Sequence, residues 1–420
     1  MFTTMLTSAL RILLTRSFQP FVFEKDSRDF LDYENLKNLG LYVHIPFCRS
    51  LCNFCPYVKE LYNKEKALLY KEALLAEINL VCHGLTAPKT VTSLYFGGGT
   101  PALMAEHLGE IINKLKDYFI ITGGIGLELH PDDIDVETLE RIKAAGVNMV
   151  SIGIQSFDAG CLDRIGRKSD NFQEKIRLVK SMGFSVVDVD LIFAIPGQNE
   201  EILFNDIKTA FECGATQVST YPFIDFSFAS NEAPPLSQRV KKKMLKSLVR
   251  VSKKLDLERT SVWTFAKKGT DKYSSVTRDN FLGFGPSATT LLQDTFKINT
   301  FSTEAYIRSL WENRSPTALT LDFTLRQRAA YCLFWSAYGL QLNRENFRQV
   351  TGKTIEDVFG FEILLSRMLG LLKKNPSGYT LTERAGCLYH KIEQVYTKAY
   401  IDKTWAAAKQ EDFPDRVILK

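Results

Sequence analysis

At 420 residues the chain is long enough for two to three domains of ordinary size. Its 45% apolar and 24% charged residues exclude a disordered tail, a collagen and a coiled-coil rod. The 53 basic and 48 acidic side chains leave a net charge of +5, too small to demand a nucleic-acid partner, and eight cysteines are too few for a secreted disulfide scaffold.

The chain opens with MFTTMLTSALRILLTRSFQPFVF, in which Leu10, Ile12, Leu13 and Leu14 lie between Arg11 and Arg16. Arg11 interrupts the apolar core that a signal peptide needs, and no small-residue cleavage site is visible. The pattern predicts a short amphipathic helix packed on the domain, with contact to a membrane surface as the alternative. No apolar run approaches the ~18–20 residues of a membrane span, and the expected address is the cytosol, where thiols stay reduced.

From about residue 41 to residue 225, short β-rich runs alternate with helical patterns. The runs are LYVHIPF (41–47), TSLYFGG (92–98), GLELHP (126–131), MVSIGIQSF (149–157), VVDVDLIFAIP (186–196) and QVSTYPFID (217–225). Between them, Tyr70–Val81, Leu108–Phe119, Val136–Ala145, Phe172–Met182 and Glu201–Cys213 repeat with helical period. Such alternation predicts βαβ units and a parallel sheet, either an open doubly wound sheet or a partial barrel. In both, ligands gather at the carboxyl ends of the strands, where Cys48, Gly97–Gly99, His130 and Gln155 stand. Residues 235–255 follow as a basic amphipathic helix, with Val240, Met244, Leu248 and Leu255 as its apolar stripe. Lys241, Lys242, Lys243, Lys246, Arg250, Lys253 and Lys254 make up the rest, a solvated outer face or a patch for an anionic partner. After about residue 318 helices dominate (Thr324–Tyr338, Arg344–Thr351, Phe361–Leu372, Gly386–Lys409), with a turn at Asn375–Gly378 between two short strands. This predicts a winged-helix-like C-terminal domain acting as a lid rather than as a reader of nucleic acid.

Cys48, Cys52 and Cys55 form C-x3-C-x2-C in a loop after a strand. Three thiolates suit a soft metal centre. A structural zinc site wants four ligands, yet Cys82, Cys161, Cys213, Cys332 and Cys387 stand alone. Three cysteines on a four-iron cluster would leave one iron open, as catalytic sites do. One strand later comes Gly97-Gly98-Gly99-Thr100-Pro101, where consecutive glycines let backbone approach a ligand closely.

Together HIPFCRSLCNFC and YFGGGTP resemble the radical S-adenosylmethionine (SAM) enzymes. LYVHIPFC, LELHP, SIGIQSFD, the Ile165-Gly166-Arg167 turn, DVDLIFAIPGQ and LGFGPSA resemble more narrowly the oxygen-independent coproporphyrinogen III oxidase-like family, over about residues 40–400. The resemblance implies an α/β fold: a partial (β/α)6 radical SAM barrel with a helical, winged-helix-like C-terminal domain. It divides the chain into an N-terminal extension (1–40), a catalytic domain (41–315) and a helical cap (316–420). It implies a [4Fe–4S] cluster on Cys48, Cys52 and Cys55, with SAM on the fourth iron. One-electron cleavage of SAM would then give a 5′-deoxyadenosyl radical that abstracts hydrogen from a substrate.

The family's SAM contacts fall here on Tyr42, Gly97, Gly98, Gly99, Thr100, Glu128, Gln155, Arg167, Asp190, Gly283 and Gly285, with His44 in a supporting role. Implied partners are a tetrapyrrole-like small molecule and an electron donor such as flavodoxin or ferredoxin, the protein acting as a monomer. Two stretches depart from the family pattern. Tyr57 stands where coproporphyrinogen-converting members carry a further cysteine, and Tyr273–Asn280 lacks the His-Asn element of haem-chaperone relatives. The readings are therefore oxidative decarboxylation of coproporphyrinogen propionates, met by Arg278 or the basic helix; another SAM-radical reaction, such as methyl transfer or haem ring opening; a non-enzymatic haem carrier; and a nucleic-acid modifying enzyme.

Overall fold

The computed structural model describes residues 2–25, 31–168, 170–229, 231, 234–271, 273 and 279–420. After an N-terminal helix α1 (Phe2–Thr15), strands and helices alternate: β1 (Leu39–Ile45), α2 (Lys64–Cys82), β2 (Ser93–Gly98), α3 (Ala105–Lys116), β3 (Ile125–Leu129), α4 (Val136–Ala144) and β4 (Met149–Gln155). There follow α5 (Ala159–Arg164), α6 (Phe172–Ser181), β5 (Val186–Phe193), α7 (Glu200–Glu212), β6 (Gln217–Pro222), α8 (Gln238–Lys254) and β7 (Asn280–Phe284). The strands are near-continuous apolar runs because parallel strands are covered on both faces; β5 is buried along almost its whole length. Helix starts are set by side-chain caps: Asn63, Asp135, Asp158, Asn199 and Ser237 each accept a backbone N–H of the first turn.

The six parallel strands lie in the order β1-β2-β3-β4-β5-β6, and β7 adds in parallel on the far side of β1. A doubly wound sheet would reverse direction at a switch point. Here each unit is added on the same side, which makes an open (β/α)6 barrel. The sheet continues from β7 through antiparallel strands Thr289–Leu292, Thr295–Asn299, Thr317–Asp322, Phe21–Glu24 and Arg416–Leu419. Strands from the N-terminal extension and from the cap thus belong to the barrel's own sheet, so neither residue 40 nor residue 316 marks its edge.

The cap comprises α9 (Thr303–Trp311) at its approach, then α10 (Leu325–Tyr338), α11 (Arg344–Thr351), α12 (Ile355–Met368), α13 (Glu383–Tyr396) and α14 (Asp402–Gln410). A three-stranded sheet of Gln341–Asn343, Gly378–Leu381 and Leu372–Asn375 completes a winged-helix arrangement with its hairpin at the expected turn. A π-helical turn, Thr397–Ile401, joins α13 to α14. The expected amphipathic α1 packs against α10, α13 and this turn.

The basic helix is corrected at one point. Lys241 is buried and its Nζ donates to the carbonyl oxygen of Phe223, whereas Val240 is 37% exposed. The lysine stem fills the interior because a carbonyl receives its head. Among the described residues, no helix is long and apolar enough to cross a membrane.

Candidate active site

A cavity of about 920 Å³ opens at the carboxyl end of the barrel strands and runs under the cap. That lies at the upper end of the range for small-molecule sites. Cys48, Cys52 and Cys55 border it, on the loop that leaves β1. All three are half-buried free thiols. The loop is fixed at both ends: Phe47–Cys48 pairs with Glu60–Leu61, and Lys59 Nζ donates to the Cys55 carbonyl at 2.7 Å. Burial, reinforced by Cys55, pushes the Cys48 thiol up to about 12, so iron bound there must displace a proton.

Among the described residues, no three His, Cys, Asp or Glu side chains converge on one point as the ligands of a single ion would. The cysteines of an iron–sulfur cubane bind separate irons, and Cys48 lies near enough to Cys52 and Cys55 to feel their charge.

The glycine strand end packs tightly around the same loop. Gly99 N donates to Ile45 O and Thr100 N to Phe47 O, both at 2.7 Å. A Cβ at Gly99 would lie 2.5 Å from Phe47 O, and one at Gly98 (φ +115°) would lie 2.6 Å from the His44 ring. His44 accepts from Tyr42 OH at Nδ1 (3.1 Å) and donates from Nε2 to Val58 O (3.0 Å), which fixes its tautomer. Burial lowers it to about 4, so the ring is neutral and serves as support. Glu128, at the end of β3, accepts from Tyr95 OH at 2.9 Å and from Gly98 N at 3.1 Å. Burial raises its carboxyl to about 7.

Gln155 ends β4 with φ +74° and also borders the cavity, as does Arg167. The Arg167 Nη2 donates to Gly153 O, while its buried Nε has no partner in the structure. An unpaired guanidinium N–H on a residue that borders the cavity is suited to a carboxylate. Asp190 accepts from Ser151 Oγ at 2.9 Å, and burial beside Asp188 and Glu128 holds its carboxyl well above the usual range. Thiol loop, glycine cradle and orphaned Arg167 together fit an iron–sulfur cluster and an amino-acid-bearing nucleoside.

Gly283 and Gly285 stand apart from the cavity lining. Both are needed for packing. A Cβ at Gly283 would lie 2.2 Å from Thr289 O; one at Gly285 (φ +98°) would lie 2.6 Å from His44 O. Gly285 N donates to Glu77 Oε2 (2.7 Å), which also accepts from Tyr306 OH (2.6 Å), while Asn299 Nδ2 donates to Oε1 (2.7 Å). Burial raises Glu77 to about 7. Arg278 lies outside the described residues, and no residue of α8 borders the cavity.

Sequence reasoning missed Asp188, whose two-residue spacing from Asp190 places both on one strand face. Ser219 Oγ and Ser151 Oγ both reach its Oδ2, at 2.8 and 3.3 Å. It also missed the aromatic half of the chamber, where Tyr331, Phe334, Trp335, Tyr338, Tyr389 and Tyr396 descend from the cap. The cap is held down on the thiol loop, with Tyr57 against Trp405 (5.8 Å) and Lys409 Nζ donating to Pro56 O at 3.2 Å.

Residues 42–210 match the Radical SAM superfamily model. The chain is 25% identical to the heme chaperone HemW of Bacillus subtilis (strain 168), over 84% of this chain and 97% of that protein. It is 28% identical to the oxygen-independent coproporphyrinogen III oxidase of Paracoccus denitrificans (strain Pd 1222), over 44% of this chain and 42% of that protein. The structure of the Escherichia coli coproporphyrinogen III oxidase HemN superposes with a TM-score of 0.75 at 21% identity, covering 93% of this chain and 98% of that one, a likeness of fold.

Proposed function

We propose, from the premise that the chain carries a radical SAM domain, that it is a radical SAM enzyme acting on a tetrapyrrole, by oxidative decarboxylation of porphyrinogen propionates. One observation carries the reading: a single cavity of about 920 Å³ joins the three-thiol loop to a chamber walled by aromatic side chains of the cap. Flat conjugated or pyrrolic ligands pack on such faces.

In this reading Cys48, Cys52 and Cys55 hold a [4Fe–4S] cluster. Gly98, Gly99, Thr100, Tyr42, Glu128, Gln155 and Asp190 surround SAM, Arg167 takes its carboxylate through the free Nε, and Gly97, which stands off the cavity lining, packs against Glu128. When bound, the cluster and SAM supply one-electron reductive cleavage and the hydrogen abstraction that follows. The chain's own residues orient and enclose. Gly98 and Gly99 bring backbone against the ligand, Glu128 fixes the Gly98 amide, and the cap keeps water from the reacting atoms. Gly283 and Gly285 act through His44 and β1 rather than by touch. An electron donor of the flavodoxin or ferredoxin kind and a reducing cytosol complete the proposal.

A second reading, haem carriage, draws support from the HemW likeness, which spans nearly the whole of that protein. Anaerobic reconstitution with iron and sulfide, then SAM and a reductant, separates the two. The enzyme reading expects an iron–sulfur absorption band, 5′-deoxyadenosine release, and loss of carbon dioxide mass from coproporphyrinogen III. Stoichiometric haem binding without SAM turnover would replace it with carriage. Unchanged turnover in the Cys48→Ala, Cys52→Ala, Cys55→Ala protein would overturn the cluster assignment.

A further inference from the structure

We propose that Glu393 and Tyr389, both on α13, form a polar subsite in the chamber wall that receives the central N–H donors of a metal-free tetrapyrrole. The proposal rests on the tetrapyrrole reading above and goes further by assigning ligand-selecting residues in the cap.

Glu393 is 8% exposed and Tyr389 5% exposed, and both border the cavity. Spaced four residues apart, they share one face of α13. Thr397 Oγ1 donates to Glu393 Oε1 at 2.7 Å, which leaves Oε2 buried without a partner. The Tyr389 hydroxyl is likewise buried and unpartnered. A buried carboxylate oxygen and phenol left unpaired are costly, so their retention on one face points to a ligand that supplies donors. Lys241, whose charge is felt at Glu393, gives its Nζ to Phe223 O instead.

The surroundings define the shape of that ligand. Phe334 lies 5.0 Å from Tyr389 and 4.7 Å from Tyr396, and Tyr338 lies 6.2 Å from Tyr389. These rings offer flat apolar contact beside the two polar atoms. A porphyrinogen or free-base porphyrin carries central N–H groups that a carboxylate and a phenol oxygen accept. In a metalloporphyrin the metal occupies those nitrogens and no donor remains. The subsite therefore selects the metal-free macrocycle.

The test uses the reconstituted holoprotein under anaerobic conditions, titrated with coproporphyrin III and with its nickel(II) complex, which is square-planar with little affinity for an axial oxygen and differs at the centre. Wild type is expected to bind the free base at least about tenfold more tightly than the nickel form, the worth of one good buried hydrogen bond. Glu393→Leu and Tyr389→Phe should each weaken the free base by about that factor and leave the nickel form within roughly twofold. SAM cleavage without substrate serves as the folding control.

Equal affinity for the two porphyrins, or variants that bind like wild type, would overturn the subsite alone. Haem binding with a tyrosinate-ligated spectrum that Tyr389→Phe abolishes would overturn it too, by making Tyr389 a metal ligand. If wild type cleaves SAM yet binds no porphyrin, the tetrapyrrole reading falls and takes the subsite with it.

Discussion

Single residues at the strand ends are under two constraints at once, backbone shape and ligand access. Gly98 shows both, since its positive φ and the His44 ring leave no room for a side chain. Gly98→Ala is expected to cost about 1–3 kcal/mol of stability and to weaken SAM binding. Urea unfolding and a SAM titration measure the two effects, and an unchanged midpoint would contradict the packing. Glu77 makes a pH prediction. Burial raises its carboxyl to about 7, so the folded state favours the protonated form. That contribution is fully present below the unfolded carboxyl value and is lost as pH climbs through the folded one. Wild type should therefore lose stability relative to Glu77→Gln between pH 5 and 7.5, by an amount of order a few kcal/mol. A difference in urea midpoint that stays flat with pH would refute it.

Elements depend on how such groups are enclosed, and α13 is the example. His390 is fully buried, stacks on Phe193 at 5.7 Å and accepts from Trp263 Nε1 at 3.1 Å. Burial lowers its pKa to about 3. A histidine with a depressed folded value stabilises fully above its unfolded value, and that support is lost as pH falls toward the folded one. Acidification from pH 7 to pH 5 should loosen α13 against β5, seen as faster amide exchange along α13, and His390→Phe should abolish the acid sensitivity while keeping the stack. The barrel strands were legible in the sequence because strands covered on both faces are unbroken apolar runs. The three-thiol loop and glycine strand were legible because their spacing is rare. Lys241 and Val240 exchanged their expected places because the carbonyl of Phe223, eighteen residues earlier, decides which side chain turns inward. Gly283 and Gly285 carried no sign that they answer to neighbouring backbone rather than to a ligand. The Tyr389–Glu393 pair reads as an ordinary helical spacing until the cap is folded over the barrel.

At the scale of the molecule, two packed regions share one sheet. Around Phe23, Ile298, Leu319, Tyr400, Val417 and Leu419 a second core joins the N-terminal extension, the late strands and the cap's last helices. Val417→Asp would bury a charge there and should destabilise by about 3 kcal/mol or more. Because Tyr400 and Leu419 also border the chamber, porphyrin binding should fall further than SAM cleavage does. Equal losses of both would argue that the two regions unfold as one.

The pairing of Phe21–Glu24 with Arg416–Leu419 also sets an order in time. During synthesis the early strand finds its first partner only when Thr317–Asp322 emerges, and its other edge stays open until residues near 416 follow, after the thiol loop and the barrel are made. The chamber thus stays open through most of translation. On the proposed cluster assignment, iron and sulfide would reach Cys48, Cys52 and Cys55 in that interval, before the cap seats against Pro56 and Tyr57 and narrows the way in.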